Sequence, residues 1–293
     1  MKNISTCTLI ILLSLIFNKT LAQDVSITSR IVGQGEPVIL IPGLTCDGSV
    51  WNETVDAIAD NNECHIITLA GFANNKPIEN LNNVMYLDMM SDNIIKYLKS
   101  KNLKKPAIIG HSLGGFLALK IAIIEPQLSS KLIIVDALPY LPAMRNPSIS
   151  EESAKASAEN YRKSMLEKSK LPIDKKRNAQ KEFLKWMISD STKIETATDW
   201  YLKSDDKTVA QAMYEMNTTD LREELSKIKI PTLVLGSWIA GKPYGATKEG
   251  ALNSYKKQYE KLEGVIVDMS NTGKHFIMWD DPELLIKWIE EFI

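Results

Sequence analysis

Side chains that bind metals or run redox chemistry are scarce in this 293-residue chain, which has three cysteines and three histidines. His65, His111 and His275 stand far apart, and neither they nor Cys46 and Cys64 show the spacing of a zinc ligand set. An excess of one charge is also missing. Thirty-five basic residues face 36 acidic ones, for a net charge of −1, and no basic stripe is interleaved with aromatics. Nucleic acid is therefore not an indicated partner. Internal repeats and low-complexity segments are absent. So are long apolar runs: Cys7 to Phe17 is too short to span a bilayer comfortably.

That short run has a different use. Lys2 supplies a basic start, and Thr20-Leu21-Ala22 offers a small-residue cleavage site before Gln23. Residues 1–22 read as a signal peptide, with an uncleaved anchor as the alternative. Cleavage predicts a secreted or periplasmic protein with no stable membrane insertion afterwards. Residues 23–293 suffice for one large α/β domain with an insertion. Export would permit a disulfide. However, Cys46 follows one strand and Cys64 precedes the next, so a parallel sheet separates them and both are expected to be unpaired.

What the chain does have is concentrated in Pro106-Ala107-Ile108-Ile109-Gly110-His111-Ser112-Leu113-Gly114-Gly115-Phe116. A buried strand leads into Gly-x-Ser-x-Gly, and Leu113 to Ile124 follows as a helix that is apolar nearly all round. Such a turn strains Ser112 and projects its hydroxyl at the strand's C-terminal edge, above a helix N-terminus that favours negative charge. His111 occupies a variable position of the turn and is expected to pack or hydrogen-bond locally.

The rest of the chain alternates strand and helix around this turn. Strands are predicted at Val25–Val32, Val38–Ile41, His65–Leu69, Lys131–Asp136, Pro231–Gly236 and Val265–Asp268. His65, placed at a strand's N-terminal end, reads as structural. An amphipathic helix over Asn83–Lys101 would bury Met85, Met89, Ile94, Ile95 and Leu98, and a last helix starts at Pro282. After Val38–Ile41 comes the loop Pro42-Gly43-Leu44-Thr45-Cys46-Asp47-Gly48. Leu44 is its candidate for a free backbone N–H, and Asp47 is expected to cap the next helix. Residues 137–229 lose the β-branched runs and read as helices near Glu151–Lys168, Lys175–Ser189, Thr192–Leu202 and Thr208–Asn217. The domain plan is thus 23–136 for the first part of the core, 137–229 for a helical cap, and 230–293 for the rest of the core.

Ile41-Pro42-Gly43-Leu44, Gly110-His111-Ser112-Leu113-Gly114-Gly115, and Lys274-His275-Phe276-Ile277 followed by Asp281-Pro282 together resemble the α/β-hydrolase superfamily from about residue 25 to the end. The resemblance implies a mostly parallel sheet flanked by helices with an inserted helical cap. It also implies Ser112 as nucleophile, His275 as base, an oxyanion hole of the Leu44 and Leu113 N–H groups, and no cofactor or metal. The chain departs from the commonest pattern at the acid. The strand after the cap is followed by Ser237-Trp238-Ile239, with no carboxylate. Asp136, before the cap, stands where a smaller group of relatives carries the acid, with Asp220 and Asp268 as reserves. Dehalogenase chemistry is disfavoured, because that group has aspartate where Ser112 stands. The implied function is an exported serine hydrolase of small or medium carboxylic esters, thioesters or lactones, with Trp238, Tyr140 and Met144 lining an apolar pocket. C–C bond hydrolysis or perhydrolysis on the same triad, and ligand binding without catalysis, are the alternatives.

Overall fold

The computed structural model describes residues 27–79, 81 and 85–293, so the predicted signal peptide and cleavage site lie outside the described residues. Seven strands form one sheet: β1 (Thr28–Val32), β2 (Glu36–Ile41), β3 (Asn62–Thr68), β4 (Ala107–His111), β5 (Leu132–Val135), β6 (Thr232–Gly236) and β7 (Ile266–Met269). Their order is β1-β3-β2-β4-β5-β6-β7. Only the edge strand β1 runs antiparallel, against β3. Val25 and Ser26 of its predicted range fall outside the described residues.

The central strands are apolar on both faces because helices cover both. Alternate residues point to opposite sides. Ile39, Ile41, Ile108, Ile134 and Val234 pack with α2 (Tyr86–Ser100) and α3 (Leu113–Ile124). Val38, Leu40, Ile109, Ile133 and Leu235 pack on the other face with Trp51, α1 (Asn52–Ile58) and α10 (Pro282–Phe292). The helix α3 has the predicted bounds and buries nine of its residues, as a helix wedged between sheet and α2 must.

Between β5 and β6 the chain makes four helices: α4 (Glu151–Ser169), α5 (Ile173–Leu184), α6 (Ser191–Leu202) and α7 (Asp206–Thr218). After β6 come α8 (Lys248–Gln258) and, beyond β7, the short α9 (Ile277–Asp280). Among the described residues no helix is long and apolar enough to cross a membrane.

Several expectations need correcting. Met85 is 44 % exposed at the N-cap of α2, and Met89 is only partly buried. The buried stripe instead runs Tyr86, Leu87, Met90, Ile94, Ile95, Leu98, the i, i+4 period counted from the observed first turn. His65 lies in the middle of β3, not at its start. It is held by Tyr97 Oη and Glu63 Oε1, each 2.7 Å away. The helix predicted to Ser189 stops at Leu184, because the following carbonyls are used elsewhere, as described below. Cys46 and Cys64 are free and buried, and burial pushes their thiols up to about 12 and about 11.

Candidate active site

The parallel register brings several chain segments to one sheet edge. His111 of β4 pairs with Val135 of β5, and Val135 pairs with Leu235 of β6. Ser112 and Asp136 therefore emerge side by side at the C-terminal strand ends, level with Gly236, and Ser237 follows it directly. The Ser112 N–H donates to Val135 O (2.9 Å), and the Asp136 N–H donates to Leu235 O (2.7 Å), which extends the ladder to these residues.

Ser112 has φ 52° and ψ −118°, and Asp136 has φ 45°. Positive φ in a residue with a side chain costs on the order of 1–3 kcal/mol and persists only where the surroundings enforce it. The turn at Ser112 is enforced by close packing. A Cβ on Gly114 would lie 2.2 Å from Ile41 O, and one on Gly43 would lie 3.3 Å from Ser112 Cβ. The loop after β2 thus presses on the start of α3 and on the serine. Asp47 caps its 3₁₀ helix by accepting from the Ser49 N–H at 2.8 Å, as expected. The N–H groups of Leu44 and Leu113 form no hydrogen bond within the described residues.

His275 comes to this edge from the loop after β7. Its Nδ1 lies 2.6 Å from Asp136 Oδ2. Asp136 accepts three further hydrogen bonds: Ser237 N–H at 2.7 Å, Ser237 Oγ at 3.0 Å and Tyr255 Oη at 2.6 Å. Burial pushes the Asp136 carboxyl up, but the bonds from His275, Tyr255 and Ser237 outweigh it and hold the group below the ordinary value. The ring of His275 keeps 21 % of its surface exposed, and its Nε2 carries no hydrogen bond among the described residues. Ser112 Oγ does not yet bond to it. Resting sites of this kind often tighten only around substrate.

The other two acids are engaged elsewhere. Asp220 holds the Arg222 guanidinium at 2.5–3.0 Å. Asp268 accepts from Trp288 Nε1 at 2.9 Å and from the Met269 N–H at 2.7 Å.

His111 makes a hydrogen bond, but to a segment distant in the chain. Its Nε2 lies 3.0 Å from His275 O, and the two rings are 4.6 Å apart. A carbonyl can only accept, so Nε2 carries the proton and Nδ1 is a buried lone pair without a partner. Burial holds this imidazole well below the ordinary histidine value, and it stays neutral.

The proposed pocket residues divide. Trp238 stands beside Ser237, with Nε1 donating to Ser270 O at 3.0 Å. Tyr140 does not line a cavity. Its ring is 0 % exposed, enclosed with Ala143 and Ala154 and covered by the Arg222 guanidinium 4.9 Å away. An aromatic just past a sheet edge was expected to face a ligand, but α4 folds over it. Met144 is 54 % exposed at the end of a 3₁₀ turn, and its neighbour Ala143 lines a cleft with Lys257 and Lys261 of the α8 region, so neither observation puts Met144 at Ser112.

Two residues of the site were not foreseen. Ser237 has one visible clue in the sequence, its position directly after a strand, where no carboxylate stands. Tyr255 has none, because 119 residues separate it from Asp136.

Comparison with known proteins agrees with this fold. The family model described as alpha/beta hydrolase fold matches residues 36–282. The chain is 24 % identical over 262 residues to a pimeloyl-[acyl-carrier protein] methyl ester esterase of Legionella pneumophila, covering 89 % of this chain and 96 % of that one. It is 25 % identical over 206 residues to the enzyme of the same name from Wigglesworthia glossinidia brevipalpis, covering 70 % and 75 %. Among solved structures it resembles a hydrolase from Pseudomonas aeruginosa (TM-score 0.72, 15 % identity, 91 % and 93 % covered). It also resembles an esterase from Exiguobacterium antarcticum (TM-score 0.71, 16 % identity, 91 % and 94 % covered). With the sheet, the serine turn and the family match in agreement, this chain belongs to the α/β-hydrolase fold family, as a hydrolase of the esterase type.

Proposed function

We propose that the protein is an exported serine esterase that works through an acyl-Ser112 intermediate. The observation that carries the reading is the 2.6 Å contact between His275 Nδ1 and Asp136 Oδ2, at the end of the strand next to Ser112. Asp136 fixes the tautomer in which His275 Nδ1 holds the proton and Nε2 offers its lone pair. Nε2 takes the Ser112 proton as Oγ attacks the ester carbonyl, and a positioned base of this kind contributes roughly 10²–10⁴-fold. The Leu44 and Leu113 N–H groups receive the oxyanion; one such donor is worth about 3–4 kcal/mol. His275 then protonates the leaving alcohol, directs water onto the acyl-enzyme and restores Ser112.

The substrate class is a small or medium acyl ester, thioester or lactone. The names of the two curated relatives, both methyl ester esterases, favour the simple ester. Residues 137–229 act as a cap on the site. Hydrogen bonds from Phe276 N–H to Met187 O and from Lys274 Nζ to Lys185 O support this, since they tie the α5–α6 connection to the histidine loop. Trp238 borders the pocket.

The wild-type protein should label with a fluorophosphonate probe and hydrolyse members of a short-chain ester panel. Ser112→Ala should lose labelling and lower kcat/KM by roughly 10⁴-fold or more. A folded wild type that neither labels nor turns over any panel member would overturn the reading. Export is tested by intact mass. Protein recovered from the native envelope should lack residues 1–22, whereas a full-length mass would indicate an anchor.

A further inference from the structure

Four donors converge on one carboxylate, and His275 supplies only one of them. Of the other three, two reach Oδ1 and one shares Oδ2 with the histidine. Ser237 gives its N–H and its Oγ, and Tyr255 gives its phenol O–H. Tyr255 belongs to α8, a helix that carries no other part of the site described above. One turn further along the same face, Tyr259 Oη donates to Ala137 O at 2.9 Å. Two tyrosines, of α8 and its C-cap, therefore hold consecutive residues, one by its carboxylate and the next by its carbonyl. Both bonds bear on a segment whose first residue is strained, at φ 45°.

The approach of the phenol depends on an absent side chain. A Cβ on Gly236 would lie 2.9 Å from Tyr255 Cζ and 2.8 Å from Met269 Sδ. Only glycine at the end of β6 lets the ring reach Asp136. Its Oη–Oδ1 distance of 2.6 Å is that of a charge-assisted hydrogen bond.

Resting on the serine-esterase reading, we propose that Tyr255 is a positioning residue of the active site: its O–H holds Oδ1 so that Oδ2 aims at His275, and it sets how strongly Asp136 draws on the imidazole. Each donor to a carboxylate disperses its charge and weakens its pull on the others. Removing the phenol O–H leaves Asp136 more basic toward His275, so the protonated imidazole is favoured up to a higher pH. It also frees the carboxylate to rotate, which degrades the aim of the base. The other titratable groups against this cluster are Tyr259, the C-cap of α8, and His111 of β4. Burial keeps both phenols well above the ordinary tyrosine value and keeps His111 well below the ordinary histidine value. None of them changes charge near neutral pH.

The test is Tyr255→Phe, which deletes one oxygen. The acid limb of its kcat/KM profile should move to higher pH by roughly 0.5 unit. Its kcat should fall roughly tenfold while KM stays within about twofold, the signature of lost aim rather than lost binding. A superimposable profile with unchanged kcat would overturn the proposal.

A second readout does not depend on turnover. With three histidines in the chain, the His275 Nδ1–H resonance can be assigned through His275→Gln. In Tyr255→Phe this downfield proton should shift, and its response to pH should move upward, while His65 stays in place. Wild-type protein without esterase activity but with this spectral change would defeat the esterase reading and keep the Tyr255–Asp136–His275 coupling. Wild-type activity with an unmoved spectrum would do the reverse. Should Tyr255→Phe not fold, Gly236→Ala presses on the same ring. It must move the limb and the resonance in the same direction, and no movement would overturn the proposal.

Discussion

At the scale of single residues the site turns on Asp136. The carboxylate accepts from four donors, and an amide in its place would turn an N–H₂ toward at least one of them. Asp136→Asn should also release His275 into the wrong tautomer, with a loss in kcat/KM on the order of 10⁴-fold. Asp220→Asn and Asp268→Asn should cost far less, because those carboxylates serve Arg222 and Trp288. Near-normal activity in Asp136→Asn, with a folded circular dichroism spectrum, would leave His275 needing another partner. The same residue makes a statement about pH and stability. Its folded carboxyl is held below the ordinary value. The stabilisation is therefore present above the unfolded value, about 3.9, and is lost as pH falls through the lower folded value. The Tm deficit of Asp136→Asn should accordingly be larger at pH 7 than at pH 3.

At the scale of elements, the insert does structural work on the core. The N-cap position of α2, Met85, offers no side-chain acceptor. Glu215 of α7 fills that role from 128 residues away. Its carboxylate accepts from the Tyr86 N–H at 2.7 Å and the Leu87 N–H at 2.8 Å, and Gln211 Nε2 adds a third bond at 2.7 Å. The N-terminus of a helix leaves such N–H groups without intrahelical partners, and burying them unpaired is costly. Glu215→Ala strands two buried donors and should lower stability by about 2–4 kcal/mol. Urea denaturation would measure it, and a change below about 0.5 kcal/mol would show that other groups or water replace the cap.

At the scale of the whole molecule, the helical block between β5 and β6 is less separable than its composition suggests. Val209, Ala212 and Met216 pack with α2 and α3 on one side of the sheet. Leu184, Ile188, Ile194 and Ala197 pack with Trp51, Phe276 and Leu285 on the other. The connection Lys185–Asp190 is fastened to the histidine loop through Lys274, Phe276 and the Asp280 bonds to Ser189. The insert is thereby tied directly to the loop that carries His275. Its charged residues show the same integration. In the basic run 168–181, Lys176 pairs with Asp206, while Arg177 and Lys181 pair with Glu195 on α6. That face is neutralised between helices rather than simply solvated.

The chain order alone determined a good deal. The apolar run, Gly-x-Ser-x-Gly and the helix after it define the serine turn locally, because strain at Ser112 and close packing at Gly114 are properties of a few adjacent residues. Strand and helix periods placed the elements, and the loss of β-branched runs after Asp136 marked the insert. Strand order and register are different, because they come from pairing across the sheet. Only they decide that Asp136, Ser237 and Ser112 share an edge, and that His275 meets Asp136 rather than Asp220 or Asp268. Tyr140 shows the limit from the other side: nothing in its neighbours in the chain records that α4 will bury it. Tyr255 and Glu215 show the limit most plainly. Each is a polar group whose partner lies more than 100 residues away, and only the folded chain puts its oxygen within 3 Å of the donor or acceptor it serves.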